Sequence, residues 1–298
     1  MRQSSEKDER GLKRGGAPCQ LWSPIARRQG GRGARRRQPW RALAAVLLAL
    51  TMVAGAQAHE PQEQREALED LEREHFDHYV LALTWHPGFC ASRRQPPREC
   101  RDPSLMVGAD DGFVIHGLWP SRPVRLISQG VSVSEWRRQG CFLERPRPAG
   151  DFCQAGPAID IGSSLEQELD DAMPGRASCL DRYEYAKHGA CLSISDDDFF
   201  DGALALTEIV NAGALGDFMR DNRGSTVRRN ALIAAFEEAF GRGTGSSLSL
   251  QCGGSGNRLL TEVRIGLEAE HIDDFPARKS FAPVDHGRCP GRIELRRF

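Results

Sequence analysis

Nowhere in its 298 residues does the sequence contain a Cys-x-x-Cys pair, so its nine cysteines lack the spacing of a structural zinc site. The one long apolar run, Ala42 to about Ala54, is roughly 13 residues, short of the roughly 20 that a membrane span requires. No internal repeat is evident, and strand patterns do not alternate regularly with helical ones, which removes the doubly wound parallel sheet. An excess of basic charge is missing too, the formal net charge being -1. That figure hides an asymmetry: twelve of the 40 basic residues but only three of the 41 acidic ones lie in 1–58. The remaining 28 basic and 38 acidic residues give 59–298 a net charge of -10. A chain so acidic is no non-specific nucleic-acid coat protein, for which a basic surface is expected.

The basic segment reads as a targeting sequence. Arg35, Arg36, Arg37 and Arg41 precede the apolar run, and Ala56-Gln57-Ala58 fits a small-x-small cleavage site. Residues 1–58 are therefore expected to be a signal peptide with a long basic n-region, removed from a single domain over 59–298 that has no membrane association. Cys19 leaves with it. The other eight cysteines are an even set, which in an exported chain implies four disulfides and a periplasmic or secreted location. Cys90 and Cys100 bracket a short loop and are expected to pair, as are Cys252 and Cys289 near the last strands. For Cys141, Cys153, Cys179 and Cys191, spacing leaves all three pairings open.

Alternating Tyr79, Leu81, Leu83 and Trp85 predict a strand over His78–Trp85, and Gly112–Trp119 predicts a second, stopped by Pro120. Arg258–Ala269 alternates again, and Arg292–Phe298 can supply a last strand. Helical patterns cover Ser164–Met173, Leu180–Gly189, Asp196–Asn211 and Thr226–Phe240, with a short surface helix within 61–75. Residues 86–103 read as a loop, the Pro-, Arg- and Gly-rich 121–162 as a long ordered loop, and 241–256 as a Gly- and Ser-rich connection. Strands, a helical middle and strands again point to an α+β domain with an antiparallel β-sheet flanked by helices.

Two segments carry more chemistry than their surroundings. In Phe113-Val114-Ile115-His116-Gly117-Leu118-Trp119-Pro120, a histidine interrupts an apolar strand. In Tyr183-Glu184-Tyr185-Ala186-Lys187-His188-Gly189-Ala190-Cys191, a helix would set Glu184, Lys187 and His188 on one patch, at i, i+3 and i+4. Each histidine alone has an ordinary structural reading, as a buried imidazole bonded to a carbonyl or as a cation at a helix C-terminus.

Together, 72 positions apart and in this order, the blocks resemble the two active-site segments of the ribonuclease T2 family of secreted endoribonucleases. Leu83-Thr84-Trp85-His86-Pro87-Gly88-Phe89-Cys90 is similar to that family's first strand and loop, and the wording around Tyr183–Cys191 is most similar to its periplasmic ribonuclease I branch in proteobacteria. The resemblance implies a metal-independent, cofactor-free endoribonuclease. It would cut single-stranded RNA by transphosphorylation, giving a 2′,3′-cyclic phosphate and then a 3′-phosphate. DNA, lacking the 2′-hydroxyl, would be neither cut nor stably bound.

Such cleavage needs a base for the 2′-hydroxyl, an acid for the leaving 5′-oxygen and a cation for the phosphoryl oxygens; imidazoles suit the first two and an ammonium the third. By resemblance, His116 and His188 are the acid–base pair, precedent leaning toward His188 as base, while Glu184 and Lys187 stabilise the phosphorane. Trp119 would stack a base. Tyr183 stands where relatives often carry a further phosphate-binding histidine, and its hydroxyl can still donate a hydrogen bond. Ser121 stands where some relatives have a purine-selecting acid, which implies weak base preference. RNA contact is expected at a local patch with Lys187, Arg122, Arg125, Arg137 and Arg138, on a monomer. The family's pairing of the last cysteine of the second block with one ahead of Ser164 favours Cys153–Cys191 and so Cys141–Cys179. Two rival readings are a catalytically inactive RNA-binding or regulatory member of the same fold and a metal-dependent phosphoesterase using His116, His188 and Asp181 or Asp110.

Overall fold

The computed structural model describes residues 61–298 except Glu74 and Val107; the expected signal segment over 1–58 lies outside them. The strands are β1 (His78–Thr84), β2 (Val114–Pro120), β3 (Thr226–Arg228), β4 (Leu248–Gly253), β5 (Leu259–Glu268) and β6 (Arg292–Glu294). β1 lies between β2 and β5, antiparallel to both. The other edge of β5 pairs antiparallel with β4 and, at Leu259, parallel with β6, which pairs antiparallel with β3. The helices are α1 (Pro61–Glu69), α2 (His86–Ser92), α3 (Val124–Ser128), α4 (Val133–Gln139), α5 (Ser163–Ala172), α6 (Leu180–His188), α7 (Asp196–Ala212), α8 (Ala214–Asp221) and α9 (Arg229–Phe240). This is an α+β fold on a largely antiparallel sheet. None of the described helices is long and apolar enough to cross a membrane.

Tyr79, Leu81 and Leu83 of β1 are fully buried and share one core with Phe199, Phe200 and Leu206 of α7 and Val263 and Ile265 of β5. Each such side chain contributes about 1.5–3 kcal/mol by leaving water. Ser195 caps α7 by accepting the Asp198 N–H, and Asp196, Asp197 and Asp198 sit at its positive end. α7 packs on β1 and β2, and α6 packs on β2 as well.

Several loop readings are corrected. The stretch 121–162 contains α3 and α4, because Ser132 accepts the N–H of Glu135, a Ser-x-x-Glu helix start, and the buried Trp136 donates its indole N–H to Pro120 O at 2.9 Å. Residues 86–103 include α2. The helix expected from Thr226 starts at Arg229, because Thr226–Arg228 finds a strand partner in β6. Leu248–Gly253, read as part of a connection, is β4 against β5.

The disulfides are Cys90–Cys100, Cys252–Cys289, Cys141–Cys191 and Cys153–Cys179. The expected pairs Cys153–Cys191 and Cys141–Cys179 are therefore wrong. Cys179 and Cys191 flank opposite ends of α6, whose nine residues span roughly 14 Å. Cys153 lies by the first end and Cys141 by the second, so the expected pairs would each have to run the length of the helix.

Candidate active site

His116 stands at a β-bulge. Ala82 pairs with Gly117 but Leu83 with Ile115, so His116 is the extra residue of β2. On a regular strand, residues three apart point to opposite faces; the bulge cancels that. Ile115 and Leu118 both enter the core, while His116 and Trp119 both face the cleft with ring centroids 5.2 Å apart. β5 repeats the device at Thr261: Leu260 pairs with Cys252 and Glu262 with Gln251, Leu260 and Val263 are core, and Glu262 turns toward His116.

α6 supplies the opposing wall, with Glu184, Lys187 and His188 on one patch. Glu184 is central and buried: its Oε1 lies 3.7 Å from His116 Nε2 and its Oε2 3.7 Å from His188 Nε2. The Trp119 indole N–H donates to Glu184 Oε2 at 2.6 Å. Two glycines permit the approach. A Cβ at Gly117 would stand 2.3 Å from Glu184 Oε2, and one at Gly140, where φ is +53°, would stand 2.2 Å from Lys187 O.

Burial alone would lower the His116 pKa, but Glu262, by charge and hydrogen bond, and then Glu184 outweigh it, and the net direction is up. The His188 imidazole is held well below its usual range by burial, then by Lys187 and His116. Neither of its ring nitrogens has a hydrogen-bond partner, an uncommon state for a buried polar group. Burial pushes the Glu184 carboxyl up against the pull of His116, Trp119 and Lys187. Lys187 is shifted down, first by burial.

The cleft, about 460 Å³, is lined by His116, Trp119, Tyr183, Glu184 and Lys187 and runs on to Phe152 and Phe89. Trp119 is less an open platform than a scaffold: it holds Glu184, stacks on His188 at 5.5 Å and lies under the Arg264 guanidinium. Tyr183 stacks on Phe152, and its hydroxyl accepts from Arg147 at 3.0 Å. Ser121 is turned from the cleft, its hydroxyl accepting the N–H groups of Asp77 and His78.

The expected basic patch is redrawn. Arg122 donates to Val131 O, and Arg125 is paired with Glu144 at 2.5 Å and donates to Cys191 O at 3.2 Å. Arg137 and Arg138 are exposed at the end of α4. The cations that bear on Lys187 are Arg147 and Arg264, both of which depress its pKa. Asp181 is engaged by Arg176 at 3.2 Å and Asp110 by Arg223 at 3.7 Å, so neither acid of the metal-dependent reading joins the histidines. The one cluster of metal-type ligands among the described residues, His86 with Cys90 and Cys100, has both sulfurs in a disulfide. Glu262 and Arg264, which sequence reasoning passed over, read there as the polar face of an alternating strand.

The family model "Ribonuclease T2 family" matches residues 76–277. Ribonuclease I of Escherichia coli is 36% identical over 227 residues, covering 72% of this chain and 84% of that protein. Intracellular ribonuclease LX of Solanum lycopersicum is 22% identical over 236 residues, 75% of this chain and 85% of its own length. The crystal structure of the self-incompatibility-associated SF11-RNase of Nicotiana alata aligns with a TM-score of 0.48 at 19% identity, over 74% of this chain and all of that one.

Proposed function

The chain belongs to the ribonuclease T2 family of endoribonucleases, and on that premise we propose that it cuts single-stranded RNA without a metal, using His188 as base and His116 as acid. The observation that carries this reading is the pair of imidazole Nε2 atoms set 3.7 Å from the two oxygens of one carboxylate, Glu184.

His188, neutral and unpartnered, takes the proton of the ribose 2′-hydroxyl as that oxygen attacks phosphorus. The bond from phosphorus to the 5′-oxygen breaks, and the leaving oxygen takes a proton from His116 Nε2. The product is a 2′,3′-cyclic phosphate, later hydrolysed to a 3′-phosphate with the two roles reversed. Lys187 offers the phosphoryl oxygens a cation, and Glu184, whose buried carboxyl protonates more easily than usual, can donate a hydrogen bond to them. Ser121, spent on backbone N–H groups, leaves no acid at the position that would select a purine, which supports weak base preference.

Four disulfides support export from the cytoplasm, and a net charge of -10 over 59–298 supports brief, salt-sensitive contact with RNA by a single monomeric domain. Digestion of a defined RNA in EDTA, with the ends identified, tests the reading. Cyclic phosphates and 5′-hydroxyls at undiminished rate are expected; loss of activity in EDTA, restored by a divalent ion, would overturn it.

A further inference from the structure

His116 Nδ1 lies 2.5 Å from Glu262 Oε2, from a residue 146 positions away on a strand that is not β2's neighbour. A carboxylate can only accept a hydrogen bond, so Nδ1 carries the proton in this contact. The ring is thereby fixed with Nε2 toward Glu184 and the cleft. Glu262 is itself held. Its other oxygen accepts from the Arg264 guanidinium, it is 8% exposed, and the bulge at Thr261 aims it away from the core its neighbours Leu260 and Val263 enter. Arg264 in turn lies over the Trp119 ring, 4.9 Å from its centroid, and Trp119 holds Glu184.

We propose that Glu262 is the positioning residue of the acid side of the reaction, with Arg264 as its anchor. Glu262 fixes the His116 tautomer, turns Nε2 to the leaving oxygen and strengthens the hold of the ring on its proton. The titratable and charged groups facing His116 are Glu262 and Arg264 from β5 and Glu184, Lys187 and His188 from α6. Of these, only Glu262 is hydrogen-bonded to the ring, at Nδ1, and it is not among the residues lining the cleft. Glu184 cannot substitute for it, because its two oxygens lie near Nε2 of His116 and Nε2 of His188, whereas the hydrogen bond that fixes the ring is at Nδ1. Arg264 weakens the hold that Glu262 has on the proton, and so tunes the acid. The arrangement resembles the carboxylate that orients an imidazole in hydrolytic triads, applied here to an acid.

The inference rests on His116 being the acid, and its test separates the two. In Glu262→Gln the amide oxygen can still accept from Nδ1–H, so the ring stays oriented while the charge is lost. The alkaline limb of the kcat/KM profile should move to lower pH, and the His116 ring resonance, followed by NMR, should titrate at lower pH by the same amount. In Glu262→Ala, orientation goes too, and kcat should fall about 10- to 100-fold with KM for a dinucleotide little changed. In a His116→Ala background, Glu262→Gln should cost nothing further. A folded Glu262→Gln enzyme with an unmoved alkaline limb and an unmoved His116 titration would overturn the proposal while leaving His116 as acid. Full activity in His116→Ala would instead overturn the acid assignment beneath it.

Discussion

The sheet histidine and the helix histidine face the same carboxylate from opposite sides, and their surroundings are opposite in kind. His116, on β2, is 29% exposed at its side chain and has a carboxylate near each ring nitrogen, Glu262 at 2.5 Å and Glu184 at 3.7 Å. His188, at the end of α6, is 7% exposed, has no hydrogen-bond partner and has Lys187 as its chain neighbour. One site thus favours the imidazolium and the other the free base, the division that the proposed roles of proton donor and proton acceptor require. His116 draws one carboxylate from β5 and one from α6, whereas His188 meets burial and a like charge.

Breaking either member should have the largest effect. His188→Ala and His116→Ala should each lower kcat on RNA by about 10²- to 10⁴-fold. The two can be told apart with a substrate whose leaving group is p-nitrophenolate, which departs without protonation. On it the His116→Ala enzyme should recover most of its loss, and the His188→Ala enzyme none. Equal recovery by both, or recovery by His188→Ala alone, would reverse or erase the proposed division.

The pH profile sharpens the same comparison. The proposed mechanism requires His116 protonated and His188 neutral. The His116 pKa is raised above 6.5, so the protonated acid is kept below that raised value and lost as pH climbs through it. The His188 pKa is well below 6.5, so the free base is present above the depressed value and lost as pH falls through it. A plot of log kcat/KM against pH should therefore be flat around 6.5, with its acid limb belonging to His188 and its alkaline limb to His116. His188→Ala should remove the acid limb from the residual activity and leave the alkaline one; the opposite pattern would exchange the roles.

How much of this was legible in the sequence differs between the same two walls. On α6 the chemistry is local: Glu184, Lys187 and His188 share a face because the helix period puts i, i+3 and i+4 together. On the sheet it is not. A period of two sets His116 and Trp119 on opposite faces, and only the pairing of Ala82 with Gly117 and Leu83 with Ile115 shows the bulge that reunites them. Glu262 and Arg264 enter through β1, a strand between β2 and β5 whose partners no local pattern specifies. α4 was masked by the composition of 121–162, although Ser132 and Glu135 carry a helix-start signal there. The cysteine pairing failed for the same reason as the bulge, since it depends on which end of α6 each loop reaches.

The two bridges at α6 give the smallest effect and the finest cut between fold and site. Cys153–Cys179, with a sequence separation of 26, is nested inside Cys141–Cys191, with 50. While the inner bridge is closed, the outer closes only the difference, about 24 residues, so loop entropy assigns each nearly the same stabilisation, about 3 kcal/mol. Replacing either pair by serines should therefore shift the urea midpoint by similar amounts. Their catalytic costs should differ. Cys141–Cys191 secures the end of α6 that carries Lys187 and His188, whereas Cys153–Cys179 secures the other end, beyond Asp181. Below the transition, loss of the outer bridge should lower kcat by about tenfold through misplacement of His188, and loss of the inner one by much less. Equal kcat values for the two folded variants would mean that the bridges hold the helix but not the base, and that burial among Glu184, Trp119 and Lys187 alone positions His188.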